Sequence, residues 1–224
     1  MQDDYAVKEI VEPYSGKVHR LYTYKKKPCR RILLRSRLCD QLAGYTLIEK
    51  DLRSVIVWLS EIEKLQAKWP LPKGARAWKS PDRDTYNIVK GLFVAALTFY
   101  GKCFSKCEGR PVKLERAQLT TSFHAAHDRC IRFRHNFAAH SGAERLEYVE
   151  IALVFPIKIK RPLAPKLYTE LFQPDMALPV PGDITLIELV EHVRLIAIKK
   201  IQNLHQKIIG EEVLPKGRDY WMNK

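Results

Sequence analysis

No apolar run in the chain is long enough to cross a bilayer. The longest charge-free hydrophobic stretch, residues 91–101, has eleven residues, where a spanning helix takes about 20, so no membrane partner is expected. The N-terminus, Met1-Gln2-Asp3-Asp4, is acidic and is not followed by an apolar core, so it does not read as a secretory signal. Cysteine is scarce. Five residues, an odd number without paired spacing, argue against a disulfide framework and for reduced thiols in a cytoplasmic setting. No glycine-rich phosphate loop, serine-nucleophile motif or paired carboxylates stand out, and no cofactor is expected.

Acidic residues are the remaining shortage. Against 39 Lys+Arg the 224-residue chain sets only 25 Asp+Glu, for a net charge of +14. Within residues 20–37 lie Arg20, Lys25, Lys26, Lys27, Arg30, Arg31, Arg35 and Arg37 with no acidic residue among them. A second acid-free run holds Lys158, Lys160, Arg161 and Lys166, so these two segments account for twelve positive charges. Tyr22 and Tyr24 alternate into the first run, which suits a surface that meets phosphates electrostatically and stacks a base on a ring. A polyanion is the expected partner class. On charge alone a plain solvated face or an import-like basic stretch stays open.

The apolar content, 46%, supports a sizeable core. From Leu42, the positions Tyr45, Ile48, Leu52, Val55, Leu59 and Ile62 step by three and four, which predicts an amphipathic helix ending near Trp69-Pro70. Ser80 or Asp82 can cap a second helix, with Pro81 tolerated at its start. That helix carries Tyr86, Val89, Phe93, Leu97, Tyr100 and Phe104 on one face and Ile88, Leu92, Ala95, Phe99 and Cys103 on another, so burial on both sides is expected. A third helix is expected over about residues 114–140, with the stripe Leu119, Phe123, Ala126, Cys130, Phe133 and Phe137. Alternation over 148–157, and more weakly over 166–173, predicts two strands. A last helix follows over about 184–209, and the tail after Pro215 is expected to fray. The fold class is therefore mainly α, a four-helix core with a small β-hairpin insertion before the last helix. The expected division is a basic segment over 1–39, a helical domain over 40–212 with its β excursion at about 147–181, and a tail over 213–224.

The end of the third helix is too polar for a plain core element: Arg132-Phe133-Arg134-His135-Asn136-Phe137-Ala138-Ala139-His140-Ser141-Gly142. Around a continuous helix Arg134 and His140 sit about 120° apart and cannot point along one line. Asn136 and His140 share a face as an i, i+4 pair, extended backwards by Arg132 and Arg129. Such a strip has what metal-free RNA cleavage requires. His140 can move a proton at the 2′-hydroxyl or the leaving oxygen while Arg134 neutralises charge at phosphorus, and the 2′-hydroxyl nucleophile restricts the substrate to RNA. The helix C-terminus favours a protonated His140, which leaves His135, or the same group on a second subunit, as the base. Alternatively these polar groups coat an exposed helix end, or His140 caps its own terminus.

Arg134-x5-His140, the Ala-Ala-His-Ser-Gly ending and the upstream Phe99-Tyr100-Gly101-Lys102-Cys103-Phe104 resemble the HEPN superfamily (higher eukaryotes and prokaryotes nucleotide-binding), in its abortive-infection-like branch. The resemblance spans roughly residues 40–142 by pattern, and reaches the last helix by order of elements alone. It implies an HEPN-like four-helix bundle and a metal-independent endoribonuclease. It further implies a homodimer whose facing motifs form one cleft, and a role in phage defence or a toxin–antitoxin system with an antitoxin or regulatory protein as partner. Arg134 and His140 become the catalytic pair, with His135 at a position more often asparagine or aspartate and Asn136 beside it. Gly142 stands where some members carry a tyrosine. Lys25, Lys26, Lys27, Arg30, Arg31, Arg132 and Arg129 are the expected RNA contacts. The different class kept beside this reading is a non-catalytic RNA-binding or protein-interaction module on the same fold. Cys103, Cys107, His124 and His127 are ligand types at helical spacings, but they match no standard zinc pattern and no metal site is assigned. Asp128 and Arg132 are spaced for a surface ion pair.

Overall fold

A computed structural model describes residues 4–69, 80, 82–135, 148–155, 166–172 and 183–224. The chain divides into two compact units, Met1–Asp40 with Asn203–Lys224, and Gln41–Gln202.

The basic N-terminal stretch, for which the sequence reading assigned no structure, is a three-stranded antiparallel sheet of β1 (Tyr5–Val11), β2 (Val18–Tyr24) and β3 (Lys27–Pro28) in the order β1-β2-β3. The β2 sequence Val-His-Arg-Leu-Tyr-Thr-Tyr is rich in strand formers. It pairs with β1 in the register Tyr5↔Tyr24, Val7↔Tyr22, Glu9↔Arg20 and Val11↔Val18. Gly16, at φ +64°, closes the first hairpin. The second turns on Lys25 and Lys26, both in the left-handed region at φ +46° and +64°. A two-residue turn of this hand favours Asn-Gly, and non-glycine residues held there carry a steric cost. In the same unit the tail expected to fray instead forms α5 (Gly217–Asn223). Trp221 Nε1 donates to Val213 O at 3.0 Å, Arg30 Nη1 donates to Met222 O, and Ser36 Oγ donates to Glu212 at 2.8 Å. These bonds tie the terminus down.

The second unit is built on α1 (Arg37–Ala67), α2 (Arg83–Cys103), α3 (His124–Phe133) and α4 (Leu186–Lys207). The α1 stripe lands as its spacing requires: Ile48, Leu52, Val55, Leu59 and Ile62 are all buried. Asp82 caps α2, accepting from Thr85 N at 2.7 Å and Thr85 Oγ1 at 2.9 Å, and these bonds hold its carboxyl below the usual range. At the start of α4, Thr185 and Glu188 cap one another reciprocally, the arrangement of a capping box. Val89, Ala96, Leu97, Tyr100 and Cys103 of α2, Ala126 and Cys130 of α3, and Leu189, Val190, Val193 and Ala197 of α4 close one core with the α1 stripe. The molecule is thus mainly helical. The second face of α2 is covered only in part, with Leu92 and Phe99 half-buried and Ile88 exposed.

The third helix is shorter than its stripe suggests. It begins at His124, after 3₁₀ turns at Arg116–Gln118 and Thr121–Phe123. Leu114 and Leu119 are core residues all the same, but they arrive on irregular backbone. Leu119 and Thr120 are extended, at ψ 148° and 140°, and Thr120 N donates to His192 Nε2 at 3.2 Å. The apolar spacing therefore reported burial rather than helix. Strands β4 (Tyr148–Val154) and β5 (Lys166–Phe172) pair antiparallel, as the alternation predicts. Among the described residues no helix is long and apolar enough to cross a membrane.

Replacing Lys25-Lys26 by Asn-Gly is expected to stabilise the sheet by about 1 kcal/mol through relief of the left-handed strain. Thermal denaturation followed by circular dichroism checks this; an unchanged or lowered Tm contradicts it.

Candidate functional site

Arg134 follows α3 directly, its backbone N–H bonded to the carbonyls of Cys130 and Ile131. Its side chain lies across the backbone of Gly101 near the end of α2. A methyl group at Gly101 would collide with Arg134 Cδ and stand 2.8 Å from Nε and 3.4 Å from Cζ. Only glycine permits that approach. Arg134 is half-buried there, with no carboxylate partner among the described residues, and His135 beside it is exposed. Asn136 and His140 lie outside the described residues.

The rest of the expected strip is differently engaged. Arg129 pairs with Asp183 at 3.1 Å, next to the start of α4, whereas Arg132 is exposed. The Asp128–Arg132 ion pair does not form. Asp128 instead takes a two-pronged pair from Arg116, with both N···O distances at 2.7 Å, because the 3₁₀ turn carries Arg116 back over α3. The basic N-terminal contacts are also thinned. Arg20 is bonded to Glu9 at 2.6 Å and Lys25 lies 3.4 Å from Asp4. Arg30 is spent on Met222 O. Lys26, Lys27 and Arg31 stay exposed with no carboxylate partner among the described residues.

Two further polar groups are buried in the helical unit; Asp51 was not singled out from the sequence, and His127 was noted there only as a metal-ligand type. Asp51, on the core face of α1, is 2% exposed and lies 3.2 Å from Lys50 Nζ, 3.2 Å from Lys102 Nζ and 3.7 Å from Arg110 Nη1. Arg110 also donates to Lys102 O, while its Nε and Nη1 have no hydrogen-bond acceptor among the described residues. The signal was present, since Asp51 falls between Ile48 and Val55 on an apolar stripe, where an unpaired carboxylate is rare. His127 is likewise on the core face of α3. Its Nδ1 is 2.8 Å from Tyr100 Oη, and its ring packs on Phe104 with centroids 4.5 Å apart. Burial pushes the His127 pKa down, offset in part by Asp128 and reinforced by Arg116 and His124, and burial pushes the Tyr100 hydroxyl up.

This engagement also bears on metal binding. Burial raises the Cys103 thiol to about 12 and raises Cys130 as well, so neither is a thiolate near neutral pH. His124 is 3.2 Å from Leu119 O, and among the described residues no three His, Cys, Asp or Glu are grouped to hold a metal. A separate open groove of about 420 Å³ on the helical unit is lined by Lys50, Arg53, Trp58 and Arg194 among others. Two of these cations share Glu49, at 2.9 and 2.8 Å.

Arg134 therefore presents a half-buried guanidinium beside Gly101, and the residues flanking that glycine, Tyr100 and Lys102, reach His127 and Asp51. No protein-family model, curated protein or solved structure matches the chain.

Two outcomes follow from this geometry. In an Arg134→Ala background Gly101→Ala is expected to stabilise α2 by up to about 1 kcal/mol through helix propensity, and with Arg134 present the clash at its side chain should offset that gain. Chemical denaturation of the four proteins in the cycle tests it, and strict additivity would refute the contact. The second concerns pH. The folded state resists protonating His127, and His192, whose pKa burial also lowers, whereas the unfolded chain protonates both near pH 6.5. Their contribution is thus complete above that value and declines as pH falls through it. Tm should drop between about pH 7 and 5.5, less so in His127→Gln; a flat profile would count against the buried neutral histidine.

Proposed function

We propose that the protein is a metal-independent endoribonuclease of HEPN type, a toxin or phage-defence effector that cleaves RNA with Arg134 and His140 at a composite site formed by two copies of the chain. One observation carries the reading. The two sequence segments behind the resemblance, the Phe99–Phe104 stretch and the Arg134-x5-His140 motif, meet where Arg134 rests on Gly101. In this reading Arg134 is pre-positioned to neutralise charge developing on the phosphorane, which is how a fixed cation contributes most. His140 moves the proton, and His135 and Asn136 assist on the substrate side. Lys26, Lys27 and Arg31 supply phosphate attraction that falls steeply with salt.

The homodimer is supported by the spacing of Arg134 and His140, which on a continuous helix would diverge by about 120° and let a twofold pairing bring the arginine of one chain to the histidine of the other. It is also supported by the β4–β5 hairpin, where Val149, Ile151, Leu153 and Leu167 share one face by register and are each more than half exposed. A bare two-stranded hairpin is marginal in water. Control by an antitoxin or other regulatory protein belongs to the same reading.

A second reading is a non-catalytic RNA-binding module. The observation that favours it is the half-burial of Arg134 against α2, which also suits a structural role.

Incubating the purified chain with RNA in excess chelator should give cleavage that Arg134→Ala and His140→Ala each abolish. Mixing the two inactive variants should restore about a quarter of the parent activity, because half the dimers are mixed and one of their two composite sites is intact. No cleavage by the parent, or equal cleavage by all three, overturns the nuclease; inactive variants that stay inactive on mixing overturn the shared site.

A further inference from the structure

One face of the N-terminal sheet is built like a surface for unpaired bases. Directly paired residues in an antiparallel ladder project to the same side. Tyr5, Tyr24 and Lys27 therefore form one cross-strand row, Val7 and Tyr22 the next, and Glu9 with Arg20 the third. Tyr5 is 63% exposed, Val7 55% and Tyr24 40%. The Tyr5 and Tyr24 rings lie 4.7 Å apart and tilted by 46°, so they present one broad aromatic patch. Successive rows on a face are about 6.7 Å apart along a strand, so the half-buried Tyr22 continues the aromatic surface one row beyond Tyr5 and Tyr24.

The charge is arranged to match. The tip beside the aromatic patch is the Lys25-Lys26 turn, whose left-handed backbone places two lysines where this turn favours Asn-Gly. Lys26 and Lys27 have no carboxylate partner among the described residues, whereas the cation at the far end of the rows, Arg20, is neutralised by Glu9 at 2.6 Å. Attraction for an anion is thus concentrated at the aromatic end. The same unneutralised lysines would repel one another across a face-to-face pairing of two copies, which disfavours self-association here. A duplex keeps its base faces stacked internally and has none to offer a tyrosine.

We propose that this face, through Tyr5, Tyr22 and Tyr24 with Lys26 and Lys27, holds a single-stranded segment of RNA by base stacking. RNA as the ligand rests on the functional reading above; stacking on this face does not depend on cleavage.

The test uses the full chain and a short 2′-O-methyl RNA carrying 2-aminopurine. This strand lacks the nucleophile needed for cutting, so binding is measured whether or not the protein is a nuclease. The parent should bind the single strand more tightly than the matching duplex and quench the reporter. Tyr24→Ala and Tyr5→Ala should each weaken binding about tenfold, while Tyr24→Phe, which keeps the ring, binds like the parent. Lys25→Asn with Lys26→Gly should weaken binding and flatten its salt dependence even though the sheet is stabilised. Circular dichroism verifies that the variants are folded. Unchanged affinity in folded alanine variants overturns the proposal, as does a duplex held as tightly as the strand, or a DNA strand of the same sequence held more tightly than the RNA. Loss of self-association in Tyr24→Ala without loss of RNA binding would instead assign the face to a second copy.

Discussion

Asp51 is a carboxylate placed where the core of the helical unit closes, and the surrounding geometry is arranged to make that tolerable. Removed from water, it must be met by cations. Lys102 comes from the last turn of α2 and Arg110 from the loop beyond it. Gathering these groups at one point fixes how the end of α2 meets α1 and folds the 104–112 segment back. At Gly44 of α1 that segment comes so close that an added methyl would touch Val112, Arg110 and Pro111. Asp51 and Arg110 are the buried members, whereas Lys50 and Lys102 are about half exposed, so the cluster acts more as a constraint on geometry than as net stability.

The candidate chemistry depends on the same end of α2. Tyr100 is bonded to His127, Gly101 seats Arg134, and Lys102 faces Asp51. Three consecutive residues therefore reach three different partners.

Much of this was legible in the sequence. The α1 stripe, the Asp82 cap and the β4–β5 pair all follow from periodicity and local hydrogen-bonding chemistry. The misses have common causes. Leu114 and Leu119 kept their burial but lost their helix, because Thr120 is held extended by a bond to His192, distant in sequence. The N-terminal sheet escaped notice because its strands are largely exposed on both faces, with Tyr22 and Thr23 half-buried on opposite sides, so no alternation marks an inside. Asp51 stood on an apolar face and could have been flagged there, and His127 was noted for its ligand chemistry rather than for its burial. Which partners would satisfy them was invisible, since Arg110 and Tyr100 lie 59 and 27 positions away along the chain.

The amino-acid order alone determined the mainly helical class, the positions of most elements, the excess of positive charge and the Arg134-x5-His140 motif. These are properties of period, composition and spacing, set by residues within a few positions of one another. Only the tertiary structure decided which cations remain unneutralised, that Arg134 sits on Gly101, and that Tyr5 shares a patch with Tyr24 and Lys27. Each of these depends on which atoms approach across two elements, and that is set by packing and strand register rather than by any local run of the chain.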